Sequence, residues 1–185
     1  MVDLVQDILD NGTSTITESK DSVTWFKNKL EEMKGKKIVF NKKSFPEIGK
    51  MYLFVYDAKH KATLPFFDVY PLVFPVEYYS DGFLGINLHY LPPSARLGLL
   101  DSLSSIASDN KYTDNTKLNI SYSVLKQASD RFGNYSDCVK RYLFGQVRSG
   151  FNYVSPTDWP KAAVLPLHKW SINTDMRYRK SSPPY

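Results

Sequence analysis

A run rich in proline and aromatic residues, KATLPFFDVYPLVFPVE from Lys61 to Glu77, places the strongest constraint on the fold. Its later part is rich in β-forming residues, yet Pro71 and Pro75 have no N–H to donate to a neighbouring strand. We therefore expect this strand at a sheet edge or at a β-bulge, where the sheet bends sharply. The aromatic side chains of the run are expected to fill the tight core of such a sheet: Phe66, Phe67, Tyr70 and Phe74.

Strand patterns dominate the middle of the chain, and helical patterns lie on both sides. KMYLFVYD alternates, Phe66 to Tyr79 reads as a strand, and SDG predicts a hairpin turn into FLGINLHYL. LPPSARLGLLDSLSSIAS has helical spacing, with the prolines at its start. We expect an α+β fold: a small, strongly bent, β-barrel-like antiparallel sheet with packed helices. The expected parts are an N-terminal helical arm (1–48), a core domain (49–168) and an extended C-terminal tail (169–185).

Short hydrophobic patterns predict the secondary structure of three later segments. LNISYSVLKQASDRFG is expected to begin as a strand or extended segment and to end as a short helix. NYSDCVKRYLFGQVRS is expected to be a helix, and Ala162 to Leu167 a short strand. The expected inner face of that helix carries Val139, Tyr142, Leu143 and Val147, and its outer face carries Lys140, Arg141 and Arg148.

The N-terminal arm is expected to hold two short amphipathic helices joined by the polar run Thr13 to Ser22, with Ser22 as the N-cap of the second. Isolated helices of this length are marginal in water, so the arm must dock on something. The chain's own core and a neighbouring subunit both stay open. The residues predicted to bind a partner, in the arm and in the tail, are Trp25, Phe26, Leu30, Trp170, Arg177, Tyr178 and Arg179.

Positive charge is concentrated near the C-terminus. The chain has a formal net charge of +5, and from Cys138 onward eight Lys or Arg face two Asp. Lys and Arg neutralise phosphates while tyrosines stack on bases, which is typical of nucleic-acid binding without sequence preference. Protein interfaces use the same residue types, and an ordinary solvated surface is a third alternative. The residues predicted to bind nucleic acid are Lys140, Arg141, Arg148 and Lys180.

Motifs for catalysis or cofactor binding are missing from the sequence. Cys138 is the single cysteine, which excludes an internal disulfide, and His60, His89 and His168 lack metal-ligand spacing. No GxGxxG or GxxxxGK[ST] motif occurs, and Asp57, Asp68 and Glu77 each have a local structural role available. Asp68, for example, can accept hydrogen bonds from turn amides. We expect a soluble, non-enzymatic protein with no cofactor, no metal, no small-molecule substrate and no membrane segment.

Three motifs, taken in order, carry a resemblance to a known family. They are GKMYLFVY, LPFFDVYPLV and GINLHYL, followed by LNISYSVLKQAS, CVKRYLFGQVRS and WPKAAVLPL. This series, from about Ile48 to Arg179, resembles small virion proteins of T-even-like contractile-tailed bacteriophages. The resemblance implies a virion structural protein, with DNA-end protection as a further label, and it supplies no catalytic residue.

The resemblance also implies structural roles for motif residues. Gly85 would allow a close backbone approach, and Asn87 or His89 would tie loops to strands through hydrogen bonds. The motif residues expected to fill the core are Tyr52, Phe54, Tyr56, Phe67, Leu72 and Val73.

Three functions compete at this point. The leading hypothesis is an assembly protein of the phage tail, baseplate or neck, located in the virion, whose arms dock on other virion proteins. The alternative is a DNA-end-binding or packaging-associated protein that uses the basic C-terminal surface. A small nuclease would need an acidic metal cluster, and Asp57, Asp68, Glu77 and Asp81 do not supply one by their spacing.

Overall fold

An antiparallel sheet of five strands forms the centre of the computed structural model, which describes residues 12–33, 45–63, 67–91, 93–131 and 138–163. The strands are β1 (Met51–Leu53), β2 (Leu72–Tyr79), β3 (Gly82–Asn87), β4 (Val139–Leu143) and β5 (Asn152–Val154). Their order is β4-β3-β2-β1-β5. The antiparallel sheet and the α+β class are as predicted, but the sheet is open, with β4 and β5 at its edges in the described part of the chain.

Helices pack on this sheet. The described residues form α1 (Gly12–Met33), α2 (Pro93–Ser108), α3 (Asp114–Arg131) and α4 (Trp159–Ala163). Short 3-10 turns follow β3, β4 and β5 at Leu88–Tyr90, Phe144–Gln146 and Pro156–Asp158. The helix predicted after the prolines is confirmed: α2 begins at Pro93, a position where the missing N–H costs no helical hydrogen bond.

The β2–β3 hairpin explains the prolines of the opening run. The register between β2 and β3 shifts between Pro75 and Glu77, which marks a bulge at Pro75. β1 pairs only with Leu72 and Val73 of β2, so Pro75 lies beyond that pairing and needs no N–H toward β1. Pro71 immediately precedes β2. The predicted bulge and the predicted hairpin turn are therefore confirmed, although β2 begins at Leu72 and not at Phe66, which lies outside the described residues.

Gly85 faces the bulge. It is paired with Pro75, and a Cβ added to it would lie 2.3 Å from Cγ1 of Val73 and 3.1 Å from the carbonyl oxygen of Phe74. Real Cβ atoms do not tolerate the first of these distances. The close backbone approach expected at this glycine is confirmed.

The two faces of the sheet bury different side chains, because neighbouring residues of a strand point to opposite faces. One face, which we call the helical-face core, includes Met51, Leu53, Leu72, Phe74 and Ile86, with residues from all four α-helices. The opposite face, which we call the aromatic core, consists of Tyr52, Phe54, Tyr56, Ala58, Val73, Phe83, Tyr142 and Val147, with Phe67, Phe144 and Phe151 partly buried against it.

The N-terminal part of the chain differs from the prediction. Thr13 to Ser22 belongs to the continuous helix α1, and Ser22 is a buried residue inside this helix, not an N-cap. Trp25 and Phe26 are buried in the helical-face core, and Leu30 packs against it. Burial of this apolar face outweighs the modest helix propensity of Thr and Ser. The structure thus places these three residues against the chain's own core, one of the two alternatives; residues 1–11 lie outside the described ranges.

Three secondary-structure predictions are wrong. The segment after Cys138 forms β4 and a 3-10 turn instead of a helix, because its backbone pairs with β3 from Val139 to Leu143. The segment predicted to begin extended is helical from its first residue, Leu118, to Arg131, within α3, and Phe132 and Gly133 lie outside the described residues. Ala162, predicted to start a strand, lies in α4, and residues after Ala163 are outside the described part.

Candidate nucleic-acid interface

Two basic segments that are distant in sequence meet at the edge of β4 that pairs with no other strand in the described part of the chain. Lys140 and Arg141 of β4 and Lys59 and His60 of the 57–63 loop line one cavity of about 310 Å³. Its other lining residues are Tyr56, Ala58, Phe67, Asp68, Tyr142 and Leu143. The cavity therefore combines cationic side chains with aromatic walls, the combination that suits phosphate and base together.

A second cavity, of about 430 Å³, adjoins the first and shares Tyr56 and Phe67 with it. Asp57 and Lys61 line it and form an ion pair of 2.7 Å, and Arg148 lies 3.5 Å from the same carboxylate. The hydrogen bond from Lys61 lowers the pKa of Asp57, assisted by Arg148. We call the six basic residues around the two cavities the basic edge: Lys59, His60, Lys61, Lys140, Arg141 and Arg148.

Aromatic rings orient the two β4 cations. The Lys140 ammonium lies 4.4 Å from the ring centroid of Tyr90, and the Arg141 guanidinium lies 4.3 Å from that of Tyr79. Both distances are within the range of cation–π attraction. Arg141 also forms an ion pair with Asp81 of the hairpin turn, whose pKa the guanidinium holds below its usual value. These contacts hold the charged groups in place at the surface.

A buried polar network lies behind the first cavity. Nδ1 of His89 is 2.6 Å from Oδ2 of Asp68, and Nδ2 of Asn87 donates to both Oδ2 of Asp68 at 3.1 Å and the Tyr142 hydroxyl at 3.0 Å. The Tyr70 N–H donates to Oδ1 of Asp68 at 3.0 Å. The network thus ties the segment before β2 to β3 and β4, as expected for Asn87 and His89, and the turn-amide role expected for Asp68 is confirmed.

The ionisation of Asp68 depends on this network. Burial alone would raise the pKa of Asp68, but the charge of His89 and the hydrogen bonds from His89, Asn87 and the Tyr70 N–H outweigh burial and lower it. Asp68 is therefore a buried carboxylate whose charge is compensated by its neighbours. Its oxygens accept hydrogen bonds from the Tyr70 N–H and Asn87 and contact Nδ1 of His89.

The acidic residues considered for catalysis do not converge. Asp57 pairs with Lys61, Asp68 with His89, and Glu77 with Lys126 of α3 at 3.4 Å. Across the described ranges, no group of three His, Cys, Asp or Glu is placed to hold a metal ion. Cys138 is buried in the helical-face core. None of the helices in the described part of the chain has the length and apolarity to cross a membrane.

Sequence reasoning found half of the basic edge. It named Lys140, Arg141 and Arg148, and the structure brings all three to this region, on a strand and a loop and not on a helix. It missed Lys59, His60 and Lys61, although the string AKHKA was a visible signal. Five predicted residues lie outside the described ranges: Trp170, Arg177, Tyr178, Arg179 and Lys180.

Comparisons with known proteins give one match. No curated protein and no solved structure matches the chain. A family model described as "Phage T4 terminal DNA protecting protein" matches residues 3–181. The match extends the resemblance to a phage family into the N-terminal arm. Its description names DNA ends and no tail, baseplate or neck, so the leading prediction of a structural part there is wrong and the DNA-end alternative is favoured. The chain belongs to the family of phage T4 terminal DNA protecting proteins.

Proposed function

We propose that this protein binds the ends of linear phage DNA through the basic edge and shields them from exonucleases. The family match over residues 3–181 carries this proposal. The basic edge supports it, because Lys140 and Arg141 adjoin Lys59 and His60 around one cavity, and Lys61 and Arg148 lie beside the next. A bound protein blocks an exonuclease by occupying the end, so the role requires no catalytic group.

Phosphate neutralisation supplies the affinity in this proposal. Each phosphate contact releases condensed counterions, so the logarithm of the binding constant falls with the logarithm of salt concentration at a slope of about −0.9 per contact on duplex DNA. Lys61, Arg141 and Arg148 each have an exposed carboxylate partner, Asp57 or Asp81. Exposed pairs of this kind contribute little to stability, so the cations can exchange a carboxylate for a phosphate at small cost.

The proposal includes a place and partners. DNA ends packaged in a phage particle are the substrate, so we place the protein in the virion, after assembly in the host cytoplasm. Contacts with other virion proteins, through Trp170, Arg177, Tyr178 and Arg179, are a further part of the proposal.

A charge-matched pair of double variants tests the DNA-binding surface. Lys140→Gln/Arg148→Gln removes two charges from the basic edge, and Lys27→Gln/Lys111→Gln removes two exposed charges from α1 and the α2–α3 loop. We expect only the first to weaken binding to a linear duplex and to reduce the salt slope by about 1 for each lost contact.

The same proteins are compared in an exonuclease digestion of linear DNA, with a covalently closed dumbbell duplex as the binding competitor. The full-length wild type should protect the linear DNA and prefer it to the dumbbell. Equal loss of binding in both double variants would assign DNA binding to overall charge and not to the basic edge. No preference for the open end would contradict the proposed function.

A further inference from the structure

The cavity of about 310 Å³ at the edge of β4 has chemistry that distinguishes a DNA end from the interior of a duplex. We propose that it holds one terminal nucleotide, with its terminal phosphomonoester against Lys59, His60, Lys140 and Arg141 and its base against the aromatic wall. This inference rests on the proposed function and adds the part of the DNA that is recognised. The 5′ and 3′ terminal phosphates share this chemistry and are separated by the experiment below.

Charge is the first reason. A phosphomonoester carries about −1.5 to −2 at neutral pH, because its second pKa is about 6, whereas an internal phosphodiester carries a single negative charge. Lys59, Lys140 and Arg141 contribute permanent positive charge to one cavity, with His60 beside them. Asp68, the acidic residue among the described lining residues, is engaged with His89. Arg141 pairs with the exposed Asp81 and can exchange that carboxylate for a phosphate at small cost. Several cations around one cavity suit the larger charge of a terminal phosphate better than the single charge of an internal one.

The second reason is a main-chain hydrogen-bond donor, the N–H of Arg141, at the edge of β4 that borders the cavity. Asn87 N–H donates to the Cys138 carbonyl at 2.8 Å, and Phe144 N–H donates to the Asp81 carbonyl at 2.9 Å. Hydrogen-bonded and non-hydrogen-bonded pairs alternate along an antiparallel ladder. Asn87 and Cys138 form a bonded pair, so Leu84 and Arg141, three residues along, form a non-bonded pair, and the Arg141 N–H points away from β3. The Leu143 N–H, on that same side, donates to the hydroxyl of Tyr56 at 3.2 Å, and Tyr56 lines the cavity. The Arg141 N–H is thus directed to the same edge of β4 as the Leu143 N–H, which contacts the cavity residue Tyr56.

The aromatic wall is the third reason. Tyr56 and Tyr142 meet edge to face with centroids 5.0 Å apart, and Asn87 holds the Tyr142 hydroxyl. Phe67, which is only partly buried, completes the wall. Stacking of a base on aromatic rings tolerates any sequence, as protection of an arbitrary end requires. A volume of about 310 Å³ is at the small end of ligand sites and matches one nucleotide.

Hairpin duplexes with one open end test the inference. Three fluorescent probes of the same sequence carry a 5′-phosphate, a 3′-phosphate or two hydroxyls at that end, and Kd is measured by anisotropy with the full-length protein. We expect the wild type to bind one phosphorylated probe about tenfold more tightly than the hydroxyl probe, as one additional charge-assisted contact provides. The preferred probe identifies which terminal phosphate enters the cavity.

Two lysines of one loop provide the matched variants. Lys59 lines the first cavity and Lys61 the second, and both are exposed, so Lys59→Gln and Lys61→Gln remove the same charge with little effect on folding. Lys59→Gln should abolish the preference for the phosphorylated probe, whereas Lys61→Gln should raise the Kd of all three probes by the same factor. Phe67→Leu should reduce the difference in Kd between a probe that ends in a normal nucleotide and a probe that ends in an abasic one.

The outcomes separate this inference from the proposed function. Tight binding to all three open probes with no preference among them, together with exonuclease protection, would overturn the terminal-nucleotide site and leave end protection standing. Equal binding of open probes and a closed dumbbell would overturn both. A phosphate preference that survives in Lys59→Gln but disappears in Lys61→Gln would move the phosphate to the second cavity and would also overturn the inference.

Discussion

The two faces of the sheet are both buried but differ in what covers them. The helical-face core is mostly aliphatic and is covered by residues from α1 to α4. The aromatic core is covered by loops and 3-10 turns, contacts a buried carboxylate network, and borders two cavities with basic rims. The difference separates two roles: burial by helices stabilises the domain, whereas the loop-covered face carries the cavities at which we propose that DNA ends bind.

The largest expected effect lies in the helical-face core. Phe74 is fully buried on β2 and meets Trp159 edge to face at 5.5 Å. Phe74→Ala should lower the free energy of unfolding by about 4 kcal/mol, because it removes apolar burial and leaves a cavity. Urea denaturation measures this, with exposed Tyr112→Ala as the control. A loss below about 1 kcal/mol would show that the helical face contributes less than we infer.

The second largest expected effect on stability concerns the buried hydrogen-bond network of Asp68, Asn87 and His89, which adjoins the aromatic core. Asp68→Ala should destabilise the protein by about 3 kcal/mol, because it leaves His89 and Asn87 buried without their acceptor. Asp101→Ala, at an exposed position on α2, should change the midpoint of urea denaturation little. Equal midpoints for the two variants would mean that the network adds no stability and would weaken the contrast between the faces.

A smaller effect is expected at the link between the network and the cavity wall. Tyr142→Phe removes the hydroxyl that accepts a hydrogen bond from Asn87, at a cost of about 1 kcal/mol. The ring stays in place, so base stacking should persist while the wall becomes less rigid. Thermal unfolding measures the first effect, and binding of the phosphorylated hairpin probe measures the second. A complete loss of probe binding would assign the hydroxyl to the ligand and not to the wall.

The smallest expected effect is a change of stability with pH that occurs only in acid, and it comes from the lowered pKa of Asp68. The unfolded state binds this proton near pH 3.9, whereas the folded state binds it only at lower pH. The stabilisation is therefore present above about pH 4 and is lost as the pH falls through the folded pKa. Urea denaturation between pH 2.5 and 6 should show a weaker pH dependence for Asp68→Asn than for the wild type. Identical dependences would contradict the assignment of the carboxylate as ionised.

Local chemistry made the β2–β3 hairpin predictable. The bulge at Pro75 and the turn at Asp81 follow from what proline and short polar residues do to their own backbone, and Gly85 was implied by the family motif. The positive charge of Lys140, Arg141 and Arg148 is also readable from the sequence, whereas their binding to nucleic acid stays a prediction. In these cases the determining interactions lie within a few residues of the feature.

Other features depend on partners far along the chain. Tyr142 and Val147 were expected to be buried and are, but a helix and a strand explain that burial equally well over so short a segment. Pairing with β3 decides in favour of the strand, because it satisfies the backbone from Val139 to Leu143. Likewise, α1 continues through its Thr and Ser run because its apolar face is buried in the helical-face core.

The candidate site shows most clearly which features follow from local sequence and which depend on distant contacts. The sequence by itself determined the bulged hairpin, the α+β class and the basic character of the C-terminal part, because composition and local backbone chemistry specify them. The tertiary structure alone decided that Lys59 and His60 stand across a cavity from Lys140 and Arg141, with Asp68 buried behind them. That arrangement depends on β3–β4 pairing and on the Asp68–His89 contact, both of which join segments that no local pattern relates.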